Sequence, residues 1–142
     1  MPATDWVETF FRDYARDNAS NDLAATLRHF APTFLAGGPQ GLQCVALEDF
    51  AKALPRRKQL FHGIGHHATS FADLQVTHLD NRFALARTGW NMQFTPPAGP
   101  LRAFLVHSTF LVDGGGDAPS IVLYLAHQDI FALLREADLL PA

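Results

Sequence analysis

The 142-residue sequence predicts an α+β domain, with N-terminal helices followed by a long, curved antiparallel sheet. Three observations carry this. Apolar residues recur at helical spacing through the first half. Residues 66–78, 82–95, 101–112 and 119–128 then form strand-like runs longer than average strands. Tight-turn sequences separate those runs: Asp80-Asn81, Pro96-Pro97-Ala98-Gly99 and Asp113-Gly114-Gly115-Gly116. Strands joined in this way form an antiparallel meander.

The helices follow from local chemistry. Asp5 with Glu8 three residues later is a capping-box pattern. Trp6, Phe10 and Tyr14, with Val7 and Phe11 beside them, form one broad apolar stripe. Asn18-Ala19-Ser20-Asn21 breaks this helix and supplies caps for a second. There Leu23, Leu27 and Phe30 share a face, and Pro32 is the expected stop. Residues 33–43 carry Gly37, Gly38, Pro39 and Gly41 and read as a turn-rich connection with room for a short strand. A third helix is expected from Ala46 to Leu54, turning Leu47, Phe50 and Leu54 inward, with Pro55 ending or kinking it. Asp129 opens a short C-terminal helix with Ile130, Leu133, Leu134 and Ala137 on one face.

Composition bounds the function. The whole chain, residues 1–142, reads as one domain, with no repeat and no linker. A domain of this size buries roughly 70% of its unfolded surface, enough for a real core. Hydrophobic residues make up 48% and charged residues 18%, with Phe 12 against Trp 2 and Tyr 2. That excludes disorder, collagen and coiled coil. A net charge of -3 argues against nucleic acid as a partner, which needs a basic footprint. Cys44 stands alone, so no intrachain disulfide requires an oxidising compartment. Residues 1–5 lack a basic, apolar leader pattern, and the longest apolar run, Ile121 to Ala126, is too short to cross a bilayer. No membrane partner and a cytoplasmic location are therefore expected.

The order of elements resembles the nuclear transport factor 2-like superfamily, the cone-shaped fold of ketosteroid isomerase, scytalone dehydratase and the SnoaL-like polyketide cyclases. Local segments resemble it too: Asn21-Asp22-Leu23 at the start of the second helix, Phe30-Ala31-Pro32-Thr33-Phe34 at its exit, Gly65-His66-His67-Ala68-Thr69 at the first long strand, and Val112-Asp113-Gly114-Gly115 at the last hairpin. The resemblance spans residues 5–128. It implies a sheet wrapped around the helices with a pocket on its concave face. It supports fold rather than function.

Strand parity assigns the faces. Pairing across Pro96–Gly99 places Thr88, Trp90, Met92 and Phe94 opposite Arg102, Phe104, Val106 and Ser108. Val122, Tyr124, Ala126 and Gln128 are expected on the same face. Leu101, Leu105, Thr109, Leu111, Leu123, Leu125 and His127 take the other. Both faces read as largely apolar, whereas an antiparallel sheet normally leaves one wet. The resemblance implies a second subunit as the cover, so a homodimer through the sheet is expected. The competing reading is a face covered by the chain's own C-terminal helix.

The resemblance also suggests chemistries to weigh. Ketosteroid-isomerase chemistry needs a carboxylate base and an oxyanion hole. Tyr14 matches the tyrosine, but Gly38 and Phe104 stand where the acids fall. For dehydratase-type chemistry His67 matches the strand-start histidine and is the candidate general base, with Tyr14, the second candidate catalytic residue, or Tyr124 as its polar partner. The acid position falls at Ala19, two residues from Asp17, and the second histidine position at Gln93. A histidine can serve as base because its ordinary pKa is near neutrality. The bland reading of His67 is a strand-end residue in solvent.

His62, His66 and His67 do not make a metal site, because glycines break any helix there and neighbouring strand residues point apart. No metal and no cofactor are expected. The glycine-rich run 113–117 lacks a following Lys and helix, and Pro55-Arg56-Arg57-Lys58 reads as a solvated helix end. Arg102 among aromatic residues would need an anion, unless it sits at the strand end in water.

The leading expectation is a pocket for a small apolar or aromatic ligand, lined by Trp6, Phe10, Trp90, Arg102, Phe104, Tyr124 and Gln128. Its alternatives are a lyase or isomerase of the cyclase or dehydratase type and a non-catalytic dimeric interaction module.

Overall fold

The computed structural model describes residues 5–20, 22–97 and 99–140, so Asn21 and Ala98, both expected in turns, lie outside the described residues. The helices are α1 (Trp6–Ala19), α2 (Leu23–Leu27), α3 (Leu47–Gly63) and α4 (Ile130–Glu136). The strands are β1 (Phe30–Gly38), β2 (Gly41–Ala46), β3 (His66–His78), β4 (Phe83–Phe94), β5 (Arg102–Asp113) and β6 (Ser120–Ala126). They form one mixed six-stranded sheet in the order β2-β1-β6-β5-β4-β3. The architecture is α+β, with the expected meander of β3 to β6 at its heart.

Aspartates start three of the helices. The Asp5 carboxylate accepts from the Val7 amide, Asp22 from Ala25 and Asp129 from Ala132. At the other end of α1, Lys58 Nζ donates to the carbonyls of Asn18 and Ser20, at 2.9 and 3.3 Å. This gives a cation to the negative end of the helix.

Three expectations needed correction. The second helix stops at Leu27 rather than running to Phe30, and Pro32 lies inside β1. Its neighbours Phe30 and Phe34 both pack on Phe50, which holds the segment extended. Pro32 falls where β1 slips register against β6, so its missing N–H removes no ladder bond there. The glycine-rich connection is a regular hairpin, β1 paired with β2 from Thr33↔Ala46 to Gly38↔Gly41. Gly37 is needed for that close approach: a Cβ there would lie 2.8 Å from the Gly41 carbonyl oxygen. Third, α3 runs through Pro55 to Gly63. Pro55 is exposed, so water can serve the carbonyl that loses its helical partner.

The register of β4 on β5 is as strand parity required: Phe94↔Arg102, Met92↔Phe104, Trp90↔Val106 and Thr88↔Ser108. On β6 a shift between Leu111 and Val112 puts Ile121, not Val122, on the inner face opposite Val112. Ile121 is accordingly fully buried. The core divides in two. Phe10, Phe11 and Tyr14 of α1 pack with Trp90 and Phe110 of the sheet. Phe61, Met92, Phe94, Ile130 and Leu134 pack beneath α4. Because α4 covers Met92 and Phe94, it sits on the concave side and leaves the outer face alone. That outer face is less uniform than expected. Leu105, Leu111, Leu123 and Leu125 dominate β5 and β6, whereas β3 and β4 add Asp73, Gln75, Arg87 and Asn91 beside Leu85.

Candidate functional site

The sheet's curvature leaves an open cleft of about 710 Å³ where the β1–β2 hairpin, the end of β6 and α4 converge. Tyr124 and Ala126 come from β6, Gly37 to Gln43 from the hairpin, and Ile130, Phe131 and Arg135 from α4. Arg57 reaches it from α3, because that helix continues past Pro55. The Tyr124 ring lies 5.1 Å from Phe110, which lies 5.8 Å from Tyr14, so an aromatic chain leads from the cleft into the core. A second depression of about 490 Å³ lies between α2 and α3, lined by Leu27, Pro32, Ala46, Leu47, Glu48 and Ala51. It is more open and offers one charged group, so it holds less chemistry.

The cleft's polar groups have defined partners. The Arg57 guanidinium stands 5.1 Å over the Phe61 ring and 6.0 Å from the Phe131 ring. Asp129 is the lining carboxylate. One oxygen caps α4 at Ala132, and the other accepts from Gln40 Nε2 at 3.2 Å, across the cleft's edge. Gln128 is turned outward, its Oε1 accepting from the His107 amide at 2.7 Å.

Of the residues expected to line a pocket, Tyr124 and Gln128 border this cleft. Phe10 is core, edge-on to Phe11 and to His29. Trp90 is core too, stacked on Phe71 at 4.6 Å, with Nε1 donating to Thr88 Oγ1. Trp6 lies beside His78 and against Gly114. Phe104 packs edge-on to Phe94 below α4. Arg102 is exposed at the strand end, within 3.5 Å of the Ala137 carbonyl.

The two candidate catalytic groups lie in different surroundings. His67 is exposed at a register shift of β3 between His66 and Ala68. Its neighbour His66 is the inward one, opposite Phe94 and 2.7 Å from Thr69 Oγ1. Burial, and then the nearby His67, His62 and Lys58, hold His66 below its ordinary value, against a backbone bond at Ala68. Tyr14 is buried among His29, Phe30, Trp90 and Phe110. Burial, followed by the neighbouring Tyr124, pushes its phenol far above the ordinary 10.0, with Arg57 pulling weakly the other way. Tyr14 is therefore a neutral hydroxyl at any physiological pH.

Sequence reasoning passed over Arg57, Phe131, Arg135 and Gln40. The available signal was the spacing of Arg57 and Phe61 at i, i+4, which matters only once α3 is known to continue.

No protein-family model matches the chain, and no curated protein matches it. Solved structures do. The chain is similar to Aln2 from a Streptomyces species, at 10% identity and TM-score 0.72, covering 95% of this chain and 98% of that one. It is similar to the beta subunit of benzoate 1,2-dioxygenase from Burkholderia mallei, at 16% identity and TM-score 0.71, covering 94% and 96%. It is also similar to an NTF-2-like protein of unknown function from Shewanella oneidensis, at 12% identity and TM-score 0.67, covering 86% and 96%. Similarity at this coverage means that the chain has the nuclear transport factor 2-like fold.

Proposed function

We propose that the protein binds a small, largely apolar ligand in the cleft between the β1–β2 hairpin, β6 and α4. One observation carries this: an aromatic and aliphatic floor of Tyr124, Ile130 and Phe131 lies open beside a few placed polar groups. Turnover is not part of the reading. His67, the candidate base, is exposed, and Asp129 is committed to the α4 cap and to Gln40.

The test uses prodan, an uncharged naphthalene dye whose fluorescence reports its surroundings. It is expected to bind once per chain and to lose binding in Ala126→Trp, which fills the cleft. No binding, or equal binding by a folded Ala126→Trp, overturns the reading.

The outer sheet face supports a second proposal, a homodimer. Leu105 is 55% exposed there among half-buried Leu111, Leu123 and Leu125, and α4 packs on the opposite face. An apolar sheet surface of this kind is stabilised by being covered.

A further inference from the structure

We infer that the ligand of this cleft is an organic monocarboxylate with a flat apolar body, and that Arg57 is the group that binds its charge. The inference rests on the cleft being a ligand site at all. Arg57 enters the cleft with no carboxylate within salt-bridge distance among the described residues. Its guanidinium is also oriented: the Phe61 and Phe131 rings stand at 5.1 and 6.0 Å, which restrains the long side chain in the free protein. Less ordering entropy is then lost when it forms a forked bond to a carboxylate. Arg135, one helical turn beyond Phe131, lines the same cleft.

The balance of charge limits how much charge the ligand carries. Two arginines face one carboxylate, Asp129, so the cleft is positive by one within a chain of net charge -3. A phosphate dianion fits poorly. The N-terminus of α4, where a phosphate would sit, is already capped by the Asp129 carboxylate, which repels further negative charge. A single carboxylate at Arg57 with its body on Tyr124 and Phe131 meets no such conflict.

The experiment compares 2-naphthoate with 2-naphthamide, which match in shape and differ in charge, by isothermal titration calorimetry. The acid is expected to bind at least tenfold more tightly than the amide at low salt. Arg57→Gln is expected to remove that preference. Arg56→Gln, one residue away and not lining the cleft, is expected to change neither. Equal affinity for acid and amide overturns the inference and leaves the ligand cleft standing. A preference that survives Arg57→Gln overturns the role of Arg57. Binding of neither compound, together with no prodan binding, overturns the ligand cleft itself and this inference with it.

Discussion

His29 Nε2 lies 2.7 Å from Asp17 Oδ2, and this contact ties the last turn of α1 to the residue before β1. Arg16 Nε reaches the other Asp17 oxygen at 3.2 Å, and Thr26 donates to the Asp17 carbonyl. Phe10 and Tyr14 flank the imidazole. One small cluster thus sets how α1 and α2 lie on the sheet, and through Tyr14 it reaches the aromatic chain behind the cleft.

Asp17→Asn should lower stability most near neutral pH. The His29 bond, and then Arg16, hold the Asp17 carboxyl below its ordinary 3.8. A depressed value means the contribution is present above the unfolded-state value and is lost as pH falls through the folded one. The gap between the urea midpoints of wild type and variant should therefore narrow as pH falls below the ordinary 3.8. A constant gap would sink the assignment.

Gly65→Ala should cost about 2 kcal/mol or more, as a strained backbone combined with a clash. Gly65 has φ +97, and a Cβ there would clash with the Thr95 carbonyl oxygen. Relief would break the bond from the Thr95 amide to the Gly65 carbonyl, 2.8 Å long. Chemical denaturation gives the number directly, and a neutral substitution would contradict this turn.

Phe110→Ala should lose about 3–5 kcal/mol, the usual range for deleting a buried ring. Phe110 is 1% exposed and touches Phe11, Tyr14 and Tyr124. It should also deepen the cleft floor, so prodan should bind the folded variant at least as well as wild type. A loss below about 1 kcal/mol would mean the rings do not pack as described.

Tyr14→Phe should make the protein more resistant to alkali. The Tyr14 phenol is raised above 10.0 in the folded state, chiefly by burial. A raised value means full stability below the unfolded-state value and loss as pH rises above it. Replacing the phenol removes that loss. Thermal midpoints at pH 9 and pH 11 should fall less in the variant, and parallel declines would refute the burial of an ionisable hydroxyl.

Leu105→Glu should give a monomer of 15.6 kDa if two outer sheet faces meet. Light scattering on wild type and variant decides this. A wild-type monomer, or a variant that stays dimeric, removes the sheet from consideration as the interface.

Much of the fold was legible because it rests on local rules. Period-two patterns marked the four long strands to within a residue or two, and turn residues paired them. Side-chain oxygens of Asp5 and Asp129 announced two helix starts, whereas the second helix is capped by Asp22, just past the Asn18–Asn21 stretch read as its caps. The misreadings came where packing overrode punctuation. Pro32 and Pro55 look like helix stops, yet one sits in a strand and the other in mid-helix.

By itself the sequence determined the α+β layout, the register of β4 on β5 and which alternate residues of those two strands turn inward, because these follow from neighbours a few positions apart. Only the tertiary structure decided that Trp90 and Phe10 fill the core, that His67 lies outside it, and that Arg57 joins Tyr124 and Phe131 at an open cleft. The physical reason is that a cleft is the space left between elements. Its position depends on how far the sheet curves and how long α3 runs, and both are set by contacts between residues distant in the chain.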